Sequence, residues 1–560
     1  MMPRPTTDGF VPWPIADADR FRASGYWEDR SLFAHFADAA AGRPDDIAVV
    51  DAEVRLSYGE LLARVEAAAA RLLALGLRMD DRVLIQLPNS WEFIAFTLAC
   101  FRAGVVPVMA LPAHREHELE YLAELSESVA FVVPATHRDF DHESLAATIA
   151  DQVASLQHVI VLGEPARADS VRLDDLLART ETGAVVAPPQ PAGDAIACFL
   201  LSGGTTGLPK LIARTHNDYA YNVRVTSEVA GLTADSVYLI SLPASHNFPL
   251  ACPGFLGALF AGGRVVSIAS PEPRRAFEAI ARERVTVTAA VPAVVQRWIE
   301  YQEQEHTDQL TSLRSIQVGG SRIADEVGAK VGEVLGATLQ QVFGMAEGLI
   351  NMTRLDDDVE VIVGTQGRPC STADEVKIVD ESGEELPPGA TGVLLTRGPY
   401  TPRGYFRAPE HNAKAFTPDG WYISGDIVEL RADGNMIVQG RDKDMINRGG
   451  EKISGEEIEN LVYRHPQVAL AAAVAMPDAL LGERVCVYVT LRDDATLDLE
   501  EVREAMRRAG VAAFKHPERL VVVDDIPLTK VGKIDKKTLR ADIAGRIEEE
   551  AAREGSSAAG

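Results

Sequence analysis

An apolar run from Ala195 to Leu201 empties directly into Ser202-Gly203-Gly204-Thr205-Thr206-Gly207-Leu208-Pro209-Lys210, and a helical pattern follows over 216–229. A buried strand, a Gly/Ser/Thr loop and a helix in that order point to layered α/β architecture. The loop suits polyphosphate: glycine lets backbone N–H groups approach an anion, the hydroxyls donate, and Lys210 supplies charge. It is not a Walker loop, because Leu208 stands five positions after Gly203 and no Ser or Thr follows Lys210. Composition alone also admits a flexible surface loop.

Any bound polyphosphate must be held locally, since the chain carries 55 basic against 82 acidic side chains, a net charge of −27. That balance excludes general attraction to nucleic acid or to an anionic membrane. The five cysteines lie far apart with no CxxC pair, which argues against a zinc site and for reduced thiols in a cytoplasmic protein. The start lacks the apolar core of a signal peptide, and charged or Gly-rich breaks interrupt the hydrophobic windows near 93–109 and 251–269, so no membrane span is expected.

Strand and helix patterns alternate along the first two thirds of the chain. Strands are expected at 82–87, 104–109 and 129–133 with helices at 91–102 and 116–126, a βαβ rhythm that predicts a mainly parallel sheet. A Pro-rich interval near 187–193 separates this region, about 1–190, from a second α/β region, 191–370, with strands at 195–201, 237–242, 264–268, 285–291, 315–318 and 338–343. Short strands with turn signals then suggest a β-rich unit over 371–441, completing an N-terminal core of 1–441. A smaller mobile α+β lid is expected over 442–545, and 546–560 as a flexible tail. Ligands of parallel sheets collect at the carboxyl ends of strands, where the Ser202 loop, Gly319-Gly320-Ser321 and Phe343-Gly344-Met345-Ala346-Glu347 all fall.

Those motifs, followed by Tyr422-Ile423-Ser424-Gly425-Asp426, Gly440-Arg441-Asp442-Lys443-Asp444 and Gly532-Lys533-Ile534-Asp535-Lys536, stand in an order that resembles the adenylate-forming superfamily. That superfamily includes acyl-CoA synthetases, firefly luciferase and the adenylation domains of nonribosomal peptide synthetases. The resemblance runs from about residue 10 to 540 and implies a large α/β domain with a small mobile C-terminal domain. It implies ATP and Mg²⁺ as ligands, with Ser202, Gly203, Thr205, Thr206 and Lys210 toward the phosphates, Gly320 and Val342 framing adenine, Phe343 against its face, and Gly344 and Met345 beside it. Asp426, helped by Arg441, is implied to bind the ribose hydroxyls. Glu347 is implied to hold Mg²⁺, and a carboxylate beside phosphates would repel them without a metal between. Lys533 is implied to contact both the carboxylate substrate and the phosphate oxygens, where an ammonium offsets charge as pyrophosphate leaves. Lys443 is implied as a hinge; rotation about it would withdraw Lys533 and bring Arg448-Gly449-Gly450-Glu451-Lys452 to a phosphopantetheine tunnel for transfer to a thiol. The joint presence of Glu347, Asp426, Arg441 and Lys533 argues against a non-catalytic adenylate-binding protein.

Within the superfamily, Ser245-His246-Asn247-Phe248-Pro249-Leu250-Ala251-Cys252 resembles the subgroup that activates aryl acids for siderophores and related natural products. Asn247 is neutral, so it suits an ortho-hydroxyl rather than the ammonium of an amino acid. Cys252 is a weak donor that packs like a small apolar group, which favours salicylate over 2,3-dihydroxybenzoate. Phe248, Gly319, Val342 and Leu349 are expected to complete the acid pocket, and His246 to gate it near the phosphates. The acceptor implied is the phosphopantetheine thiol of an aryl carrier protein acting in trans, with free CoA as the rival.

Overall fold

The computed structural model describes residues 8–52, 54–179, 189–202, 209–380, 382–441, 444–448, 451–478, 481–492, 495–509, 511, 513–529 and 532–557. Two large sheets carry the N-terminal part. The first has seven strands among the described residues, in the order Leu211–Thr215, Ile196–Leu201, Val106–Met109, Arg82–Ile85, Ala130–Pro134, His158–Leu162 and Val171–Arg172, all parallel except the first pair. The second has nine, with Thr338–Gly344, Ser315–Gly319, Val287–Ala290, Val237–Ile240, Arg264–Ser267 and Ile47–Asp51 as its parallel centre. Helices cover these strands on both faces, which is why they read as unbroken apolar runs.

Sheet membership departs from the expected division near residue 190. Ile47–Asp51 and Val54–Ser57 join the second sheet beside Arg264–Ser267, whereas Ile196–Leu201 closes the first sheet next to Val106–Met109. Local patterning reports that a segment is a strand, but pairing partners are a tertiary choice that it does not contain. A further strand, Leu211–Thr215, lies between the Ser202 loop and helix His216–Val229. The loop therefore connects an antiparallel hairpin at a sheet edge rather than a strand and a helix.

Downstream, Glu375–Val379, Thr391–Arg397, Tyr422–Leu430 and Met436–Arg441 form an antiparallel meander. The C-terminal unit is a separate sheet built on the long hairpin Val468–Asp478 and Gly482–Leu491, flanked by helices Gly455–Tyr463 and Lys536–Ser557. The tail expected to be flexible from 546 continues that last helix through Ser557. Leu539 and Ile543 are buried, Glu550 pairs with Arg519 at 2.6 Å, and the run of Glu, Ala and Arg has high helix propensity. Among the described residues, no helix is long and apolar enough to cross a membrane.

Helix His216–Val229 is anchored by an ion pair with no solvent access: Arg214 Nε lies 2.6 Å from Asp218 Oδ1, and both side chains are fully buried. Asp218 also accepts from the Thr215 hydroxyl at 2.8 Å, while Thr215 Oγ1 accepts from the Asp218 N–H, so one carboxylate closes a capping box and neutralises a guanidinium. The remaining guanidinium donors reach Ala346 O at 3.0 Å and Tyr400 O at 3.2 Å. The N-terminal segment packs over this region as an aromatic strap: the rings of Trp13 and Trp27 meet edge-on at 5.3 Å, and Trp27 Nε1 donates to Pro399 O at 3.0 Å. Removing one partner of a buried pair strands the other charge, so Asp218→Ala is expected to destabilise the N-terminal part by about 3–5 kcal/mol, measured as a drop in the denaturant midpoint. Arg22→Ala, which breaks only half-exposed pairs, should cost under about 1 kcal/mol.

Candidate active site

The carboxyl ends of the second sheet, the meander and the C-terminal unit converge on one crevice. Its lining includes Gly320, Val342, Phe343, Gly344, Asp426, Arg441 and Lys533. Glycines shape the strand ends. A Cβ at Gly319 would lie 2.8 Å from Val342 O and 3.1 Å from the Phe248 ring, so only glycine lets that ring lie against the strand. Gly320 has φ +92°, and Lys533 Cε passes 3.3 Å from where its Cβ would stand.

Asp426 and Arg441 are cross-strand partners in the meander, and register alone brings Arg441 Nε to 2.6 Å from Asp426 Oδ1. Among the described residues, the other carboxylate oxygen, Oδ2, is buried without a hydrogen-bond partner. Burial pushes the Asp426 carboxyl above its ordinary range, and Arg441 opposes that shift. A buried acceptor in want of donors is what paired ribose hydroxyls would satisfy.

Glu347 follows strand Thr338–Gly344 and is buried; its Oε1 accepts from the Tyr405 hydroxyl at 2.8 Å, which lies 3.2 Å from the Tyr422 hydroxyl. Burial, then the charge of Glu347, raises the Tyr405 phenol far above its usual value, so it remains a donor. Lys210 Nζ lies 5.5 Å from the centroid of the same ring, which places the exit of the Ser202 loop beside Glu347. The loop neck is closed by Ser202 N–H to Lys210 O and Lys210 N–H to Ser202 Oγ, each at 3.0 Å. Gly203, Thr205 and Thr206 of the expected phosphate set, and Lys443, the expected hinge, lie outside the described residues. Tyr405 was not singled out in the sequence; its signal is the aromatic pair Tyr405-Phe406 after Gly404.

Lys533 enters from the C-terminal unit through a turn in which Thr529 N–H donates to Lys533 O at 2.6 Å and Lys533 N–H to Thr529 Oγ1 at 3.1 Å. Burial and then Arg441 lower its ammonium pKa, while Asp426, Glu456 and Glu347 act the other way. With His246, Phe248, Val291 and Gly320 it lines a narrow cavity. Burial and the neighbouring Lys533 push the His246 imidazole down to about 4, so it is neutral near pH 7 and adds no positive charge to that of Lys533.

Of the residues expected to hold the acid, Phe248 lines this cavity and Asn247 precedes it in the chain. Asn247 Oδ1 accepts from the Tyr219 hydroxyl at 2.8 Å. Cys252 is buried, and Asn222 Nδ2 approaches its sulfur at 3.7 Å while donating to Ala251 O at 2.6 Å. Burial pushes the Cys252 thiol up to about 12, so it behaves as a small neutral group and not as a thiolate. Val342 pairs with Gly319 across adjacent strands; Leu349 and Met345 are buried nearby, and Phe343 is half-buried. Gly344 packs against Ile350, whose Cδ1 would lie 2.5 Å from a Cβ there. Among the described residues no group of three or more His, Cys, Asp or Glu could hold a metal alone. A single Glu347 carboxylate does fit Mg²⁺, which commonly takes one or two carboxylates and completes its shell with phosphates and water.

Comparison with known proteins shows the family. The AMP-binding enzyme family matches residues 36–406, and the AMP-binding enzyme C-terminal domain matches 457–533. A Streptomyces sp. protein named salicylyl-CoA synthase / salicylate adenylyltransferase is 54% identical over 551 residues, covering 97% of this chain and 99% of its own. The salicyl-AMP ligase / salicyl-S-ArCP synthetase of Mycobacterium tuberculosis is 46% identical, with 96% and 95% covered. The apo structure of MbtA from Mycobacterium smegmatis superposes with a TM-score of 0.73 at 46% identity, covering 95% of this chain and 98% of that one.

The depressed His246 value has a stability consequence. An unfolded imidazole takes up a proton below its ordinary 6.5, whereas the native one refuses it until about 4. Stability therefore falls as pH drops through that window, by up to about 1.4 kcal/mol per unit from this group. His246→Gln should flatten the decline, measured by denaturant titrations between pH 7 and 4. With five motifs assembled in one crevice and both family domains matched in order, the chain belongs to the AMP-binding, adenylate-forming enzyme family and is an enzyme of that family.

Proposed function

We propose that this enzyme activates salicylate with MgATP to salicyl-AMP and pyrophosphate, then passes the salicyl group to the phosphopantetheine thiol of a separate aryl carrier protein. The observation that carries the first step is Lys533, half-buried in the crevice between His246 and Gly320 on one side and Asp426–Arg441 on the other. In that frame Asp426 and Arg441 hold the ribose, Phe343 lies against adenine, and the acid sits over Phe248 with its carboxylate toward Lys533. The substrate carboxylate oxygen attacks the α-phosphorus as the bond to pyrophosphate breaks, and the ammonium of Lys533 offsets charge on both reacting groups. Neutral His246 walls the passage between acid and phosphates without competing for the carboxylate. Mg²⁺ on Glu347 would supply charge neutralisation at the leaving phosphates, and Tyr405 orients that carboxylate.

For the acid, the neutral buried thiol of Cys252 supports salicylate, whose ring presents only carbon at the 3-position. The acceptor has two supported readings, since one relative is named for CoA and another for a carrier protein. The experiment is pyrophosphate exchange over a panel of aryl acids, followed by loading assays with CoA and with carrier protein. Exchange with salicylate and thioester on the carrier support the proposal; exchange with no acid, or thioester on CoA alone, defeats the corresponding half. Lys533→Ala should lower adenylate formation by about 100-fold or more while thiol transfer from supplied salicyl-AMP stays within a few-fold. Cys252→Ser should raise kcat/KM for 2,3-dihydroxybenzoate relative to salicylate by about tenfold.

A further inference from the structure

Asn247 does not choose its own orientation. Its Oδ1 accepts from the hydroxyl of Tyr219 at 2.8 Å, and Tyr219 is fully buried on helix His216–Val229 with its ring 4.6 Å from the Arg214 guanidinium. Burial holds that phenol well above its ordinary pKa, so the O–H is a donor at every working pH. The two ends of a carboxamide turn together: with the oxygen committed to Tyr219, the NH₂ faces the other way, and the amide is near enough to Cys252 to restrain the rise of its thiol pKa. Sulfur is a weak acceptor, so the amide retains donating capacity toward a bound ring. Asn222 holds Cys252 from behind through its own Nδ2, which keeps the sulfur from swinging to another partner.

We propose that Tyr219 is a positioning residue that makes Asn247 present its NH₂, not its oxygen, to the acid, so that the pocket accepts an ortho-oxygen and rejects an ortho-amino group. This rests on the reading of Asn247 and Cys252 as the aryl-acid pocket. The chemistry of the two acids differs in the needed sense. In salicylate the phenolic hydrogen bonds to its own carboxylate, leaving oxygen lone pairs outward for an amide N–H. In anthranilate the amine nitrogen is conjugated with the ring, so its outward face offers a hydrogen and almost no lone pair. An N–H of Asn247 would meet an N–H of the ligand, and the buried donor would go unpaired.

The test is pyrophosphate-exchange kinetics with salicylate and anthranilate for the wild type, Tyr219→Phe and Asn247→Asp, with thermal unfolding of each variant. The wild type should favour salicylate in kcat/KM by roughly 100-fold or more. Tyr219→Phe keeps the ring but frees the amide to turn, and should shrink the ratio about tenfold, mainly through a higher KM for salicylate and a lower one for anthranilate. Asn247→Asp presents acceptors alone and should shift the ratio further toward anthranilate, whatever the fold tolerance of the tyrosine variant. A ratio unmoved in both variants, or Tyr219→Phe slowing both acids equally, overturns the inference and leaves Tyr219 a packing residue. Exchange with neither acid in the wild type removes the aryl-acid reading and the inference with it; exchange with salicylate at an unmoved ratio removes the inference alone.

Discussion

The buried Arg214–Asp218 pair is the interaction around which this site is assembled. A guanidinium without solvent needs partners, and here each of its three nitrogens has one: Asp218, Ala346 O and Tyr400 O, from three different parts of the chain. Satisfying one side chain thus ties the hairpin strand Leu211–Thr215 to the turn carrying Glu347 and to the segment that leads to Tyr405. Asp218 in turn caps the helix that carries Tyr219 and Asn222. The turn carrying Glu347 and the helix carrying Tyr219 and Asn222 therefore share a single electrostatic anchor, and neither can shift without leaving a charge unmatched in a low-dielectric interior.

The crevice itself works by arranging what burial does to charge. Asp426 is raised by its surroundings and restrained by Arg441, Lys533 is lowered by burial, and His246 is held neutral. Burial and Arg441 work against the Lys533 charge, Asp426, Glu456 and Glu347 help to retain it, and neutral His246 leaves no imidazolium to draw a carboxylate toward another partner. Of the site's carboxylates, Glu347 is held by the Tyr405 hydroxyl and Asp426 by Arg441.

Much of this was legible in the chain. Gly320, Asp426, Arg441 and Lys533 announce themselves because turns and charges fall at strand ends in motifs with little freedom of spacing, and the structure brings them to one crevice. Helix His216–Val229 was legible at its exact ends, since the Thr215–Asp218 capping box is written locally. Sheet membership was not: Ile47–Asp51 and Ile196–Leu201 have the same apolar texture, and only long-range pairing sends one to each sheet. Tyr219 and Tyr405 were missed for a related reason. A tyrosine in an apolar stretch looks like core until the partner of its hydroxyl is known, and both partners are distant in sequence, Asn247 and Glu347.

The aromatic strap has a bearing on how the chain tolerates cutting. Trp27 holds Pro399 O, the adjacent Tyr400 O receives Arg214, and Arg214 reaches Ala346 O beside Glu347. The strap around Trp13 and Trp27, remote in sequence from Glu347, is joined to the turn that carries it by this short relay of backbone carbonyls. A protease nick or a fused tag placed near Trp27 would therefore loosen the Glu347 turn well before the sheets came apart, so this segment belongs to the framework of the crevice.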